Sequence, residues 1–178
     1  MIVSRRTLLK QLALVSAGVA LSPSFISCSS KPSPLFKNIT ITEEQVALLA
    51  IIAETIIPKT NAPGAKDALV NEYCIKMIDD CLSKKDQEKW LNGLNHFNDL
   101  VKKINNKEFG KSDASEQLKI LVELDESKAE DDVNFFFKTM KQLTLRGYTT
   151  SEYYLTNVQG YKIIPGKFKG CVPVNNPS

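Results

Sequence analysis

The chain has very little of the chemistry that catalytic and cofactor sites use. Its 178 residues include one histidine, His96, and its eight glycines form no Gly-x-Gly pair, which excludes the dinucleotide-binding fingerprint. The four cysteines form neither a Cys-x-x-Cys-His haem motif nor a closely spaced iron–sulfur run. A lone histidine is more often a surface or packed residue than a metal ligand. We therefore expect no catalytic, cofactor-binding or metal-binding residue here, and no enzyme that acts alone.

An excess of one charge is also missing from most of the chain. The formal net charge of +3 matches the three bases Arg5, Arg6 and Lys10, which lie in a segment without acids. Lysines elsewhere are scattered among acids, as on solvated helix faces. The acid pairs Asp79-Asp80 and Asp131-Asp132 fall at predicted helix ends, where exposure is the default. No basic stripe is present, so we expect no nucleic-acid partner.

Residues 1–27 have the parts of an export signal. Arg5 and Arg6 precede an uncharged apolar run from Leu12 to Leu21 and then a zone of small residues. The string Ser-Arg-Arg-x-Leu-Leu-Lys resembles the twin-arginine (Tat) signal, which exports cargo that is already folded; a plain Sec signal is the alternative. The apolar run is too short to span a bilayer, which needs about 20 apolar residues. We expect Tat export, with Arg5 and Arg6 as the signal residues.

Cys28 follows directly after this signal. Ile26-Ser27-Cys28 resembles the end of a lipobox, in which the cysteine is acylated and becomes the mature amino terminus. A cysteine without lipid, near an ordinary cleavage site, is the alternative. With Cys28 acylated, residues 28–40 form an anchor and a polar tether. We expect a membrane-anchored lipoprotein on the periplasmic side.

Helical periodicity dominates from residue 41 onward. We expect an all-α fold in domain 41–178, a single compact bundle of about five helices with an irregular Gly/Pro-rich carboxyl-terminal tail. Thr42 and Gln45 form a capping box at the start of the first helix, which ends at Pro58. This helix is apolar on more than one face, so we expect it to be the central one. The second helix is predicted from about Ala65 to Leu82.

Ser83, with Asp86 three residues on, resembles another helix cap, and three further helices are predicted after it. The third ends near Asn105, the fourth spans Ser115 to Leu124, and the fifth begins at Val133 with Gly147 placed to cap its end. A short helix then leads to the tail, residues 159–178. The inward residues predicted for the third and fourth helices are Trp90, Leu94, Phe97, Val101, Ile104, Leu118, Leu121 and Val122.

With Cys28 assigned to the lipid anchor, three of the four cysteines remain without a role: Cys74, Cys81 and Cys171. Cys74 and Cys81 lie seven residues apart on one predicted helix, or about 10.5 Å at 1.5 Å per residue. A disulfide needs Cα atoms closer than about 7 Å, so these two cannot pair. Pairing of Cys171 with Cys74 or with Cys81 stays open.

Two blocks of the chain resemble a known family. The segments ALLAIIAETIIPKTNAPGAKDALV and LTLRGYTTSEYYLTNVQGYKIIPGKFKGCVPV are similar to the gluconate 2-dehydrogenase subunit 3 family. The resemblance implies a non-catalytic small subunit of a membrane-associated, FAD-dependent dehydrogenase for a sugar or sugar acid. It implies that the GMC-type large subunit holds FAD and the active site and has no export signal. A cytochrome c subunit with haem c commonly takes the electrons in such complexes.

This resemblance explains why a chain without cofactor ligands carries a signal for folded cargo. The small subunit would bind the large one, help it mature, and carry it through the Tat translocase. The alternative is a free-standing periplasmic helical lipoprotein with a binding or scaffold role. For the partner interface we nominate the tail and its approach, because aromatic residues are favoured interface anchors. The nominated residues are Gly147, Tyr148, Tyr161, Pro165, Gly166, Phe168, Gly170 and Cys171.

Overall fold

The computed structural model describes residues 36–164 together with Gly166 and Cys171. This part of the chain is helical and has no β-strand, which confirms the predicted all-α fold. Five α-helices form it, with one 3₁₀ turn and one π-helical turn. Their bounds are Glu43–Ile56 (α1), Val70–Cys81 (α2), Lys84–Asn105 (α3), Phe109–Lys111 (the 3₁₀ turn), Ala114–Glu126 (α4), Asp132–Thr149 (α5) and Tyr154–Val158 (the π turn).

Side-chain caps fix where four of the helices begin, including α5, where the Asp131 carboxylate accepts the backbone N–H of Asn134 at 2.8 Å. Thr42 Oγ1 accepts the backbone N–H of Gln45 at 3.2 Å and Gln45 Oε1 accepts that of Thr42 at 3.0 Å, so the predicted capping box is present. Ser83 caps α3, as predicted, and Asp113 forms a second capping box at the start of α4. These side chains satisfy backbone donors that the first helical turn leaves free.

The second helix begins later than predicted, at Val70 rather than near Ala65. Residues 65–69 form a separate turn, and Leu69 has a φ of 52° and a ψ of 34°. These are left-handed angles, and a right-handed helix cannot continue through them. The apolar periodicity from Ala65 onward gives no sign of this interruption.

The helix that packs against all four others is α5, not α1 as the apolar pattern predicted. α1 packs against α2, α4 and α5. The helices α3 and α5 approach each other closely where Gly93 lies directly against the backbone of Asp132 and the side chain of Phe136. Because Gly93 has no β-carbon, the two backbones can approach closely there. That crossing places α5 in the middle of the bundle.

An aromatic cluster joins α3, α5 and the 3₁₀ turn. The ring centroids of Trp90 and Phe136 are 5.2 Å apart, those of Phe97 and Phe136 are 5.5 Å apart, and those of Phe97 and Phe109 are 5.2 Å apart. All four side chains are fully buried. Tilted and edge-on rings at this spacing add to the stabilisation from burial.

Three side chains predicted to point inward are exposed. On α4, Leu118 is 54% and Val122 46% exposed, and on α3 Ile104 is 46% exposed. The buried face of α4 is formed by Ile120, Leu121 and Leu124. On this short helix two overlapping apolar stripes fit the same period of 3.6 residues, so the sequence pattern could not choose between them.

A segment before α1 is attached to the end of α2 by Asp79. The Asp79 carboxylate accepts the backbone N–H groups of Lys37 (2.9 Å), Asn38 (2.7 Å) and Ile39 (2.9 Å). Asp79 is 5% exposed, so the expectation that both acids of the Asp79-Asp80 pair face solvent is wrong for it, whereas Asp80 is exposed. Burial raises the pKa of this carboxyl, but the three N–H donors and the nearby Lys84 outweigh it and hold the pKa below its usual range.

Candidate functional site

Several residues nominated from the sequence lie outside the described part of the chain. These are the export arginines Arg5 and Arg6, the lipidation candidate Cys28, and the tail residues Pro165, Phe168 and Gly170. Gly166 and Cys171 are described and exposed, and Gly166 has a φ of 76°, a backbone conformation that favours glycine.

The sequence predicted that Gly147 caps the end of α5. This prediction is wrong, because Gly147 lies inside the helix. The helix continues to Thr149, and the backbone N–H of Thr150 caps it by bonding to the carbonyl of Arg146 at 3.1 Å. Gly147 is buried against α2: a β-carbon there would come within 2.6 Å of the Tyr73 ring and 3.1 Å of Val70. Its small size serves the contact between α5 and α2.

Tyr148 holds the end of α5 against the loop between α1 and α2. Its hydroxyl donates a hydrogen bond of 2.7 Å to the carbonyl of Pro63. Its ring meets that of Tyr154 edge-on, with centroids 6.0 Å apart. Burial, followed by the neighbouring Tyr153 and Glu54, raises the pKa of the Tyr148 phenol. These contacts give Tyr148 a role within the chain itself.

The described part of the tail exposes large apolar side chains. Tyr161 is 55%, Ile163 87% and Ile164 83% exposed. Gly160 turns the chain with a φ of 65°, and the backbone N–H of Tyr161 bonds to the carbonyl of Leu155 at 2.8 Å. The segment is therefore tied to the π turn at its start, while its apolar side chains face solvent. Exposed apolar residues that cluster in this way mark protein or membrane contacts.

A cleft of about 570 Å³ lies beside the root of the tail. Its first wall comes from the loop before α2 and includes Leu69, which is 58% exposed. Its second wall is the segment 151–157, which leads into the tail. The lining residues are Pro63, Asp67, Ala68, Leu69, Ser151, Glu152, Tyr153, Thr156 and Asn157.

Three of the polar side chains that line this cleft are bonded within the chain. Asp67 forms an ion pair of 2.9 Å with Lys59; the hydrogen bond from Lys59 lowers the pKa of Asp67, and the same bond raises that of Lys59. Thr156 Oγ1 donates to the carbonyl of Glu152 at 2.8 Å, and Asn157 Nδ2 donates to that of Tyr153 at 3.1 Å. An occupant would find the apolar side chains of Pro63, Ala68 and Leu69 here, together with the exposed carboxylate of Glu152.

A second groove, of about 460 Å³, lies between α1 and α4. The exposed Leu118 contributes to it, together with Ile56 and Ile51. Two of its polar side chains are bonded within the chain: Thr55 Oγ1 donates to the carbonyl of Ile51 at 2.9 Å, and Gln117 Nε2 donates to that of Phe109 at 2.9 Å. The groove is another apolar area on the bundle, and it was missed because Leu118 was assigned to the core.

The cysteines 74, 81 and 171 are free in the structure, and Cys74 and Cys81 both lie on α2, the helix on which their separation was predicted. Neither pairing considered for Cys171 is present. Cys74 is fully buried, its Sγ is 3.8 Å from the hydroxyl of Thr144, and burial raises its pKa to about 11. Its thiol is therefore protonated and shielded from reagents at neutral pH.

His96 lies exposed on α3, where its Nδ1 is 2.7 Å from the carbonyl of Asn92. Across residues 36–164, no group of three or more His, Cys, Asp or Glu side chains is arranged to hold a metal ion. In the same range, no helix has the length and apolar character needed to cross a membrane.

Comparison with known proteins places the chain in a family. The family model described as Gluconate 2-dehydrogenase subunit 3 matches residues 43–166, from the start of α1 into the tail. Neither the curated proteins nor the solved structures provide a significant match. The matched range covers most of the 178 residues and includes the whole helical bundle. The chain therefore belongs to the gluconate 2-dehydrogenase subunit 3 family.

Proposed function

We propose that this protein is the non-catalytic small subunit of an FAD-dependent dehydrogenase that oxidises a sugar or sugar acid. The observation that carries the proposal is the family match over residues 43–166, because the family is named for a subunit of such an enzyme. In the proposed complex the large, GMC-type subunit holds FAD and the active site. A cytochrome c subunit with haem c is a further proposed member, as the acceptor of the electrons.

The second part of the proposal concerns export. The Ser-Arg-Arg-x-Leu-Leu-Lys string supports passage through the Tat translocase, which carries folded cargo. The small subunit binds the large one in the cytoplasm, helps it mature, and takes it across the membrane. Acylated Cys28 then tethers the complex to the membrane on the periplasmic side.

The tail is the surface we propose for binding the large subunit. Among the nominated residues, Tyr161, Gly166 and Cys171 are exposed, whereas Gly147 is buried and Tyr148 is engaged with Pro63. Ile163 and Ile164 extend the exposed area and were not nominated. The sequence signal that could have found them is the apolar pair itself, placed where Gly and Pro prevent a helix.

Co-export is tested by replacing Arg5 and Arg6 with lysine in the native host. We expect both this chain and the flavin-containing large subunit to stay in the cytoplasm, because a twin-arginine signal does not function with two lysines. Fractionation followed by flavin fluorescence measures this. If the large subunit still reaches the periplasm, it does not depend on this chain for export.

The binding surface is tested with Ile163→Ser combined with Ile164→Ser. We expect the recovery of flavoprotein on the tagged chain to fall by about tenfold or more, as for interface anchors, while helical content is unchanged. Tyr148→Phe is the matched control: it removes the bond to Pro63, which lowers stability by about 1 kcal/mol, and leaves binding intact. Equal recovery with the isoleucine variant would exclude this part of the tail as the interface.

A further inference from the structure

Leu69 has a backbone conformation that disfavours a leucine. Its φ of 52° and ψ of 34° lie in the left-handed region, where the β-carbon of an L-residue crowds the following carbonyl oxygen. Glycine adopts these angles freely and asparagine with little difficulty, whereas leucine is unfavourable. The other non-glycine residue with a positive φ in the described range is Asn106, the residue type expected there.

The loop backbone, and not the leucine side chain, requires this conformation. The N–H of Leu69 bonds to the carbonyl of Lys66 at 3.1 Å, and the N–H of Val70 bonds to that of Ala65 at 3.0 Å. This pair of bonds is the Schellman arrangement, which places a left-handed residue at the position of Leu69. Val70 and Ala65 are both buried and supply the apolar contact that accompanies the motif. Glycine is the usual residue at that position.

Burial in the bundle does little to offset the strain at Leu69. The side chain is 58% exposed, although it is large and apolar. It lines the cleft whose opposite wall, residues 151–157, leads directly into the exposed tail. A residue that is both strained and exposed in the isolated chain points to a function for its side chain.

We propose that Leu69 is an anchor of the interface with the large subunit, and that this interface continues from the tail across the cleft to Leu69. The inference rests on the proposed function and extends its binding surface to the loop before α2. The occupant is an apolar segment of the flavin-containing subunit, since the exposed Leu69 lines the cleft together with Pro63 and Ala68, and the carboxylate of Asp67 is already paired with Lys59.

Two substitutions distinguish the effect of the Leu69 side chain on binding from the effect of the strained Leu69 backbone on stability. Leu69→Gly removes the side chain and relieves the left-handed strain, whereas Leu69→Ala removes the side chain and keeps the strain. We expect Leu69→Gly to melt at about 2–4 °C above Leu69→Ala and no lower than the wild type. We expect both to lower the recovery of flavoprotein by about tenfold or more, because anchors of this kind dominate an interface.

The experiment uses the tagged full chain in its native host. The readout is flavin fluorescence per tagged chain, with mass spectrometry identifying the co-purified protein as an FAD-dependent dehydrogenase. Ile104→Ala removes an exposed apolar side chain of α3 and is the control, with wild-type recovery expected. Wild-type recovery in both Leu69 variants overturns the inference, as does a Leu69→Gly protein that melts well below the wild type. A wild-type chain that recovers no flavoprotein overturns the proposed function itself.

Discussion

At the scale of single residues, Asp79 shows how one buried charge organises a chain segment. Its carboxylate accepts three successive backbone N–H groups, from Lys37, Asn38 and Ile39. Gln87 Nε2 donates to the carbonyls of Ile78 (3.0 Å) and Asp79 (2.8 Å), which satisfies the end of α2. The segment that enters the bundle is thus attached by a charge-assisted cluster, in which hydrogen bonds are stronger than neutral ones.

Replacing Asp79 with asparagine tests this cluster. We expect the free energy of unfolding to fall by about 2–3 kcal/mol at neutral pH, because an amide oxygen is a weaker acceptor than a carboxylate and the amide nitrogen cannot accept the remaining N–H. Chemical denaturation measures it. Asp80→Asn, at the exposed neighbouring position, is the control and should change stability little.

The same carboxylate predicts a dependence of stability on pH. The pKa of Asp79 is lower in the folded chain than its usual value of about 3.9, so the contribution is fully present above that value and is lost as the pH falls through the folded-state pKa. The wild type should therefore lose more stability than Asp79→Asn when the pH is lowered through this range. Parallel acid titrations of the two proteins would contradict the role given to Asp79.

At the scale of helices, the crossing of α3 and α5 determines the architecture. Gly93 lies directly against the backbone of Asp132, and the aromatic cluster packs beside this crossing. In the sequence of α3 alone, a glycine at position 93 signals only a weaker helix. Its role in packing depends on the partner helix, and the sequence of α3 alone does not contain that information.

Gly93→Ala tests the crossing, because helix propensity and packing predict changes of opposite sign in the free energy of unfolding. Helix propensity alone would make alanine stabilising by about 1 kcal/mol. We expect a loss of about 1–3 kcal/mol instead, because a β-carbon would force the two backbones apart. Gly110→Ala is the control, since its nearest neighbour is the flexible end of Ile51 at 3.3 Å and little change is expected. A stabilised Gly93→Ala protein would contradict the close crossing.

The positions of the helices were largely predictable from the sequence. Which face of each helix is buried was predictable only in part. The caps at Thr42 and Ser83 are local signals, and they placed α1 and α3 correctly. Leu118 and Val122 were assigned to the core because they fit a helical period, but burial depends on which stripe meets α5. Leu69 interrupts the second helix through loop hydrogen bonds that a leucine does not signal.

At the scale of the whole described bundle, two segments lie at opposite ends of α2: residues 37–39, which precede α1, and residues 151–157, which lead into the tail. Asp79, near the carboxyl end of α2, holds residues 37–39, whereas Val70, near the amino end, packs against Gly147 of α5. Asp79 follows Val70 by nine residue steps, which correspond to about 14 Å of helix. In the proposed complex, the tether would therefore enter at one end of α2 and the large subunit would bind near the other.

The candidate surface was predictable only as a region. The sequence indicated the tail because apolar residues there lie between Gly and Pro, and the exposure of Tyr161, Ile163 and Ile164 supports that choice. The cleft could not be predicted, because Leu69 and Tyr153 are far apart in the chain and meet only after α5 folds against α2. Gly147 and Tyr148 carry the family resemblance, but their contacts are internal.

We propose that this chain works as a subunit that carries no flavin of its own. Purification of the tagged, full-length protein from native membranes, followed by determination of mass and flavin content, tests this proposal. We expect an equimolar complex with a larger, FAD-containing chain that oxidises a sugar or sugar acid with an artificial electron acceptor. A colourless protein that elutes alone, or an isolated chain that performs this oxidation unaided, would contradict it.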